Sequence, residues 1–118
     1  MKELKFIDYI TRKFHTKRPV IKGIGDDCAV LEYTKDKYML LACDMIIEGT
    51  HFTKNTHPYQ IGYKSMAVNI SDIAAMGGIP KYALVSAGIP KKKNTKFLKE
   101  ITRGIEALAK KFDISIIG

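Results

Sequence analysis

The sequence predicts an α/β fold, a mixed sheet with helices on one side. Three observations lead there. Residues 3–15 and 95–112 carry apolar side chains at helical spacing. Residues 28–33 and 38–45 are apolar runs of strand length. Between the strands and the last helix, residues 59–76 form a stretch rich in small residues that ends on Gly77-Gly78. The order helix, strand, strand, helix, strand, helix, strand is that of helices laid against a sheet.

Each element has its own local reason. Leu4, Ile7, Ile10 and Phe14 recur every three or four residues, with Lys and Arg towards the end of the first helix, where cations suit the helix dipole. Residues 16–25 read as a loop carrying Pro19, Gly23 and Gly25. A polar turn at 34–37 separates the two strands, and the unbroken apolar character of YMLLACDM predicts a central strand covered on both faces. Residues 48–58 form a loop with two histidines. The helix over 59–76 is apolar around most of its circumference, so it is expected to be buried on more than one side. A strand at 82–89 is closed by Pro90, Asn94 caps the next helix, and residues 113–118 begin a last strand.

The 118 residues form one domain with a real core, 46% hydrophobic and 27% charged. No apolar run approaches the roughly 20 residues of a membrane span, so the chain reads as soluble with no membrane partner. The N-terminus is not a secretory signal, and Cys28 and Cys43 form no C-x-x-C pair, which fits a cytoplasmic location. The net charge of +8 admits a basic anion- or nucleic-acid-binding module. The densest basic run, Lys91, Lys92, Lys93 and Lys96, lacks interleaved aromatics and reads instead as a solvated loop and helix start, so nucleic acid is not expected as a partner.

Three acidic stretches carry the chemistry. In GIGDDCAV, glycines let the backbone turn and approach a ligand before Asp26 and Asp27 enter a strand; a plain Gly/Asp turn has the same signature. Asp44 closes the apolar strand, where a carboxylate meets either a ligand or solvent. Asp72 shares one helical stripe with Ser65, Asn69 and Met76. An acid inside a small-residue helix is either turned to water, bonded to a neighbouring loop, or a ligand. With no zinc-type Cys/His spacing, a hard cation with oxygen ligands is the natural candidate. Two carboxylates about 5 Å apart repel by roughly 3 kcal/mol at an effective dielectric of about 20, and three mutual pairs by about 10 kcal/mol. Convergence of all three would need Mg²⁺, protonation or nearby cations to offset it.

The stretches GIGDDCAVL, CDMIIEGTHF and GYKSMAVNISDIAAMGGIPKYALVSAGIP, in this order, resemble the thiamine-monophosphate kinases. These belong to an ATP-using superfamily with aminoimidazole ribonucleotide synthetase, selenophosphate synthetase and a hydrogenase maturation protein; another member of that superfamily is the alternative reading. The resemblance implies an N-terminal ATP- and Mg²⁺-binding α/β domain over residues 1–118, whose sheets pair into a dimeric barrel. It implies a homodimer that moves the γ-phosphate of ATP to thiamine monophosphate through positioning and metal charge, with no catalytic side chain. By the same resemblance, Asp27, Asp44 and Asp72 hold Mg²⁺, Gly25, Asp26 and Asp27 meet nucleotide, and His51 meets the thiamine phosphate. Ala42 and Cys43 stand where the family often has Ser and Thr, which leaves Cys43 only its backbone carbonyl for metal. Gly118 matches the first residue of a Gly-Gly-Asp-Thr motif, so the chain is expected to be the front part of a longer protein without the family's C-terminal domain.

Overall fold

In the computed structural model, which describes residues 2–118, the amphipathic spacing of the first helix yields α1 (Glu3–Lys13). It ends two residues before the predicted stop because Phe14 is already extended. Its apolar stripe is only partly covered: Ile7 and Ile10 are half-buried, while Leu4 and Phe14 are exposed. The predicted loop that follows contains a short strand, β1 (Val20–Lys22), hidden from the sequence by its length and by the neighbouring Pro19. The polar turn closes a hairpin between β2 (Ala29–Thr34) and β3 (Lys37–Leu41), with Leu31 opposite Met39 and Glu32 opposite Tyr38. β1 adds antiparallel to the other side of β2, giving the order β1-β2-β3.

This corrects the expectation for residues 38–45. The strand stops at Leu41 and lies at an edge, with Tyr38, Met39 and Leu41 exposed. An apolar run records a demand for cover, but the hairpin turn decides which neighbour pairs, and that puts β2 in the middle.

The helix α2 (Pro58–Ala75) starts with proline at its first position, where the missing N–H costs nothing. His57 caps it, its Nδ1 accepting from the Tyr59 N–H at 3.1 Å. At the far end Gly77 takes φ +73°, and the Gly78 N–H returns to the Ile73 carbonyl at 2.9 Å, satisfying an orphan acceptor. The helix α3 (Thr95–Lys111) is capped as predicted, with Asn94 Oδ1 accepting from the Phe97 N–H at 2.9 Å. Before and after α3 lie β4 (Tyr82–Ala83) and β5 (Ser115–Ile116), paired parallel. The bonding runs on to Val85, whose N–H donates to the Gly118 carbonyl. Beyond it the apolar residues of the predicted 82–89 strand have no pairing partner among the described residues.

The single mixed sheet expected from the sequence is therefore an antiparallel three-stranded sheet and a separate parallel pair. Periodicity finds stretches fit to be strands; it carries no information on which edges meet. The protein is nonetheless a mixed α/β fold.

The chain divides into two compact units. The first comprises residues up to Cys43 together with Asp72–Gly78; the second comprises Asp44–Ser71 and Ile79–Gly118. In the first, Cys28 and Val30 are the buried apolar side chains among the described residues. In the second, Met66, Leu108, Ala109 and Ile114 form a core, with Ala67, Ile70, Ala83 and Ile105 against it. Here α2 and α3 touch backbone to backbone. A Cβ added to Gly62 would lie 2.0 Å from the Ile101 carbonyl oxygen, and one added to Gly104 would lie 2.0 Å from that of Tyr59. Glycine is required at both crossings because no side chain fits.

Candidate functional site

In the first unit, the turn between β1 and β2 carries Gly25, Asp26 and Asp27. Gly25 has φ +123°, a conformation that residues with a Cβ rarely adopt. Asp26 is held at both oxygens: Oδ1 accepts from the Asp27 N–H at 2.8 Å and Oδ2 from Lys22 Nζ at 3.0 Å. The Asp27 N–H and then Lys22 keep the Asp26 carboxyl below its ordinary range. Asp27 is exposed. Cys28, next to it, is buried, and its thiol donates to the Asp72 backbone carbonyl at 3.3 Å. That bond ties the acidic turn to the last turn of α2. Burial, followed by the negative charges of Asp72, Asp27 and Asp26, pushes the Cys28 thiol upward. Asp26, Asp27 and Asp72 are thus the acids whose charges act on the Cys28 sulfur.

In the second unit, Asp44 is exposed, three residues beyond the last residue of β3. Its backbone is fixed by α2. The Asp44 N–H donates to Asn69 Oδ1 at 2.9 Å, Asn69 Nδ2 donates to the Ser65 carbonyl at 2.9 Å, and Ser65 Oγ donates to the Gly62 carbonyl at 2.8 Å. The Ser65–Asn69 part of the helical stripe thus has a specific task, which the sequence signalled by spacing but did not define. Cys43 is an exposed free thiol.

His51 sits in a tightly bonded loop of the second unit. The Thr50 and His51 N–H groups both donate to the Ile47 carbonyl, at 3.1 and 2.9 Å. Gly49, at φ +85°, donates to the Phe52 carbonyl at 2.7 Å, and Glu48 bridges Phe52. His51 Nδ1 accepts from the Ile47 N–H at 2.9 Å, and Lys64 Nζ, from α2, donates to the His51 carbonyl. Sequence reasoning missed Lys64 and Asn69 as holders of this loop and of Asp44. Asn69 was signalled only by its place on the helical stripe, and Lys64 only by its position on the helix that follows the loop.

Among the described residues, no three His, Cys, Asp or Glu side chains converge as a complete metal cluster. The donor set still suits Mg²⁺, which is commonly held by one or two carboxylates and completed by water and phosphate oxygens rather than by an all-protein cage. Asp27 and Asp72, in the first unit, fit that pattern as hard oxygen donors. No helix among the described residues is long and apolar enough to cross a membrane.

Residues 25–118 match the family model described as AIR synthase related protein, N-terminal domain. The chain is 36% identical, over 121 residues, to the thiamine-monophosphate kinase of Methanocaldococcus jannaschii, covering 100% of this chain and 38% of that protein. It is 40% identical, over 119 residues, to that of Bacillus subtilis, covering 100% of this chain and 37% of that protein. Among solved structures, AaThiL complexed with AMPPCP and TMP superposes with a TM-score of 0.88 at 33% identity, over 98% of this chain and 36% of that one. The chain therefore spans less than two-fifths of the length of these relatives, and it belongs to the family of AIR synthase related proteins, as their N-terminal domain.

Proposed function

We propose that the chain supplies the N-terminal, ATP- and Mg²⁺-binding domain of a kinase that phosphorylates thiamine monophosphate to thiamine diphosphate. The observation that carries this reading is the match along nearly the whole chain to AaThiL complexed with AMPPCP, an ATP analogue, and TMP, taken as thiamine monophosphate. In the reaction, an oxygen of the thiamine-bound phosphate bonds to the γ-phosphorus of ATP, the bond to the β-phosphate oxygen breaks, and ADP leaves.

The residues take the following roles. Asp27, Asp44 and Asp72 hold Mg²⁺, with the Cys43 carbonyl as a further oxygen. Bound Mg²⁺ supplies charge neutralisation for the transferring phosphoryl group. Gly25 and Asp26 shape the turn that meets nucleotide: Gly25 lets the backbone approach closely, and Asp26, fixed by Lys22, holds Asp27 in place through the Asp27 N–H. His51 meets the phosphate of the acceptor. No side chain forms a covalent bond to substrate. The domain acts in the cytoplasm, and a C-terminal domain of the kinase completes the acceptor site.

The chain is also proposed to pair with a second copy through sheet edges into a barrel. Support comes from apolar side chains around the parallel pair, where Tyr82 and Leu84 are 72% and 76% exposed and Ile117 is 61% exposed. Light scattering at tens of micromolar is expected to give a dimer mass; a monomer mass would refute the pairing.

The function itself is tested by nucleotide titration and ADP release with thiamine monophosphate. The 118-residue chain is expected to bind the ATP analogue weakly and to release ADP orders of magnitude more slowly than a complete thiamine-monophosphate kinase. Orientation of both substrates can be worth roughly 7–11 kcal/mol of barrier, and an incomplete acceptor clamp forfeits much of it. Absence of analogue binding at millimolar Mg²⁺ would refute the kinase reading. A steeply salt-dependent affinity for RNA, indifferent to nucleotide, would favour a basic binding module instead.

A further inference from the structure

Within the connection from β3 to α2, residues 47–52 are more constrained than an exposed loop needs to be, and the constraint converges on one ring. A histidine nitrogen that accepts from a backbone N–H bears no proton. Because Nδ1 accepts from the Ile47 N–H, the neutral ring carries its proton on Nε2. The residue is exposed, and Nε2 has no protein partner among the described residues. The main-chain bonds that close the loop on Ile47 and Phe52 fix the backbone beneath the ring. Lys64, thirteen residues on and exposed on α2, donates its ammonium to the His51 carbonyl.

We propose that Lys64 is a positioning residue. It clamps the His51 loop to α2 so that the imidazole is held as an Nε2–H donor, directed to an anionic oxygen of a phosphate-bearing ligand. This deepens the proposed function and rests on it for the identity of that ligand, thiamine monophosphate. Lys64 acts through His51 and does not touch the ligand. A flexible ring would have to be ordered at the moment of binding, at a cost in conformational entropy; a pre-set ring avoids that cost.

The test uses the 118-residue chain with ¹⁵N-labelled histidine, at a pH where the ring is neutral. Long-range ¹H–¹⁵N spectra of the wild type are expected to show one His51 tautomer, protonated on Nε2, and a slowly exchanging Ile47 amide. Lys64→Met is expected to mix the tautomers and speed the Ile47 exchange, and Lys64→Arg, which keeps a long cationic donor, to restore both. Unchanged His51 and Ile47 signals in Lys64→Met would overturn the clamp. The ligand arm titrates thiamine monophosphate. The wild type is expected to show a shift of the His51 Nε2 resonance, and Lys64→Met and His51→Ala each to weaken binding about tenfold, as loss of a hydrogen bond to a charged group does. The double variant should lose no more than His51→Ala alone, because both act through one bond; additive losses would mean that Lys64 contacts the ligand itself and would overturn its positioning role. No His51 shift on titration would overturn the phosphate assignment. If the ATP analogue still binds in that case, the kinase reading survives while this inference fails.

Discussion

The two units of the chain solve different problems. The second is built for rigidity: two capped helices cross at glycines, and Met66, Leu108, Ala109 and Ile114 close over the crossing. The first is built around an acidic turn. Among the described residues its buried apolar side chains are Cys28 and Val30, and the helix α1 leaves both ends of its apolar stripe, Leu4 and Phe14, exposed. Neighbouring carboxylates repel, so a fold pays least for them where the local structure is held by backbone turns and single bonds rather than by a dense core. The contrast assigns stability chiefly to the second unit, and the proposed function places ligand chemistry at the turn of the first and the loops of the second.

The largest effects that could break this contrast are in the helix crossing. Leu108→Ala, at a side chain only 3% exposed, is expected to cost about 2–5 kcal/mol, as large-to-small changes in cores do. Gly62→Ala forces a methyl against the Ile101 carbonyl and is expected to cost about 1–3 kcal/mol or more, since the crossing must open. Val30→Ala in the first unit should cost less than Leu108→Ala. Urea denaturation of the three variants checks the ranking, and a larger loss at Val30 would reverse the assignment of stability.

A smaller effect separates the two cysteines. Cys43 is exposed and Cys28 is buried with its thiol bonded to the Asp72 carbonyl. A thiol reagent is expected to modify Cys43 at once and Cys28 only as the first unit opens. Because burial raises the folded pKa of Cys28, its contribution to stability is complete below the unfolded thiol value and is lost as pH rises through the folded value. Alkaline pH should therefore destabilise the wild type more than Cys28→Ala. Equal reactivity of both thiols would show that the acidic turn is not held closed by that bond.

The comparison also explains what was legible in the sequence. Capped, amphipathic helices announce themselves, and Asn94 to Lys111 was read nearly to the residue because spacing and cap are local signals. Strand pairing is not local. The run at 38–45 looked central and became an edge, and β1 was invisible beside Pro19. The carboxylates stood out as acids in apolar or glycine-rich surroundings, and the family resemblance gave each an expected metal-binding role. What holds them was only partly legible: Asn69, beneath the Asp44 backbone, stood on the helical stripe without a defined task, and Lys64, beneath His51, is an ordinary helix residue until the loop it bonds is placed. Gly62 lay within the small-residue stretch and Gly104 carried no signal; only the crossing shows why nothing larger fits at either.

The most direct test of the central claim is calorimetric titration of the 118-residue chain with a non-hydrolysable ATP analogue, with and without millimolar Mg²⁺, beside Asp27→Asn and Asp72→Asn. Each substitution keeps side-chain size and removes a charge that Mg²⁺ would meet. The account predicts that Mg²⁺ strengthens analogue binding to the wild type by about tenfold or more, the scale of charge-assisted contacts, and that this gain vanishes in either variant while circular dichroism stays unchanged. A Mg²⁺-dependent gain of the same size in both folded variants would contradict it, because the two acids would then have no part in holding the metal.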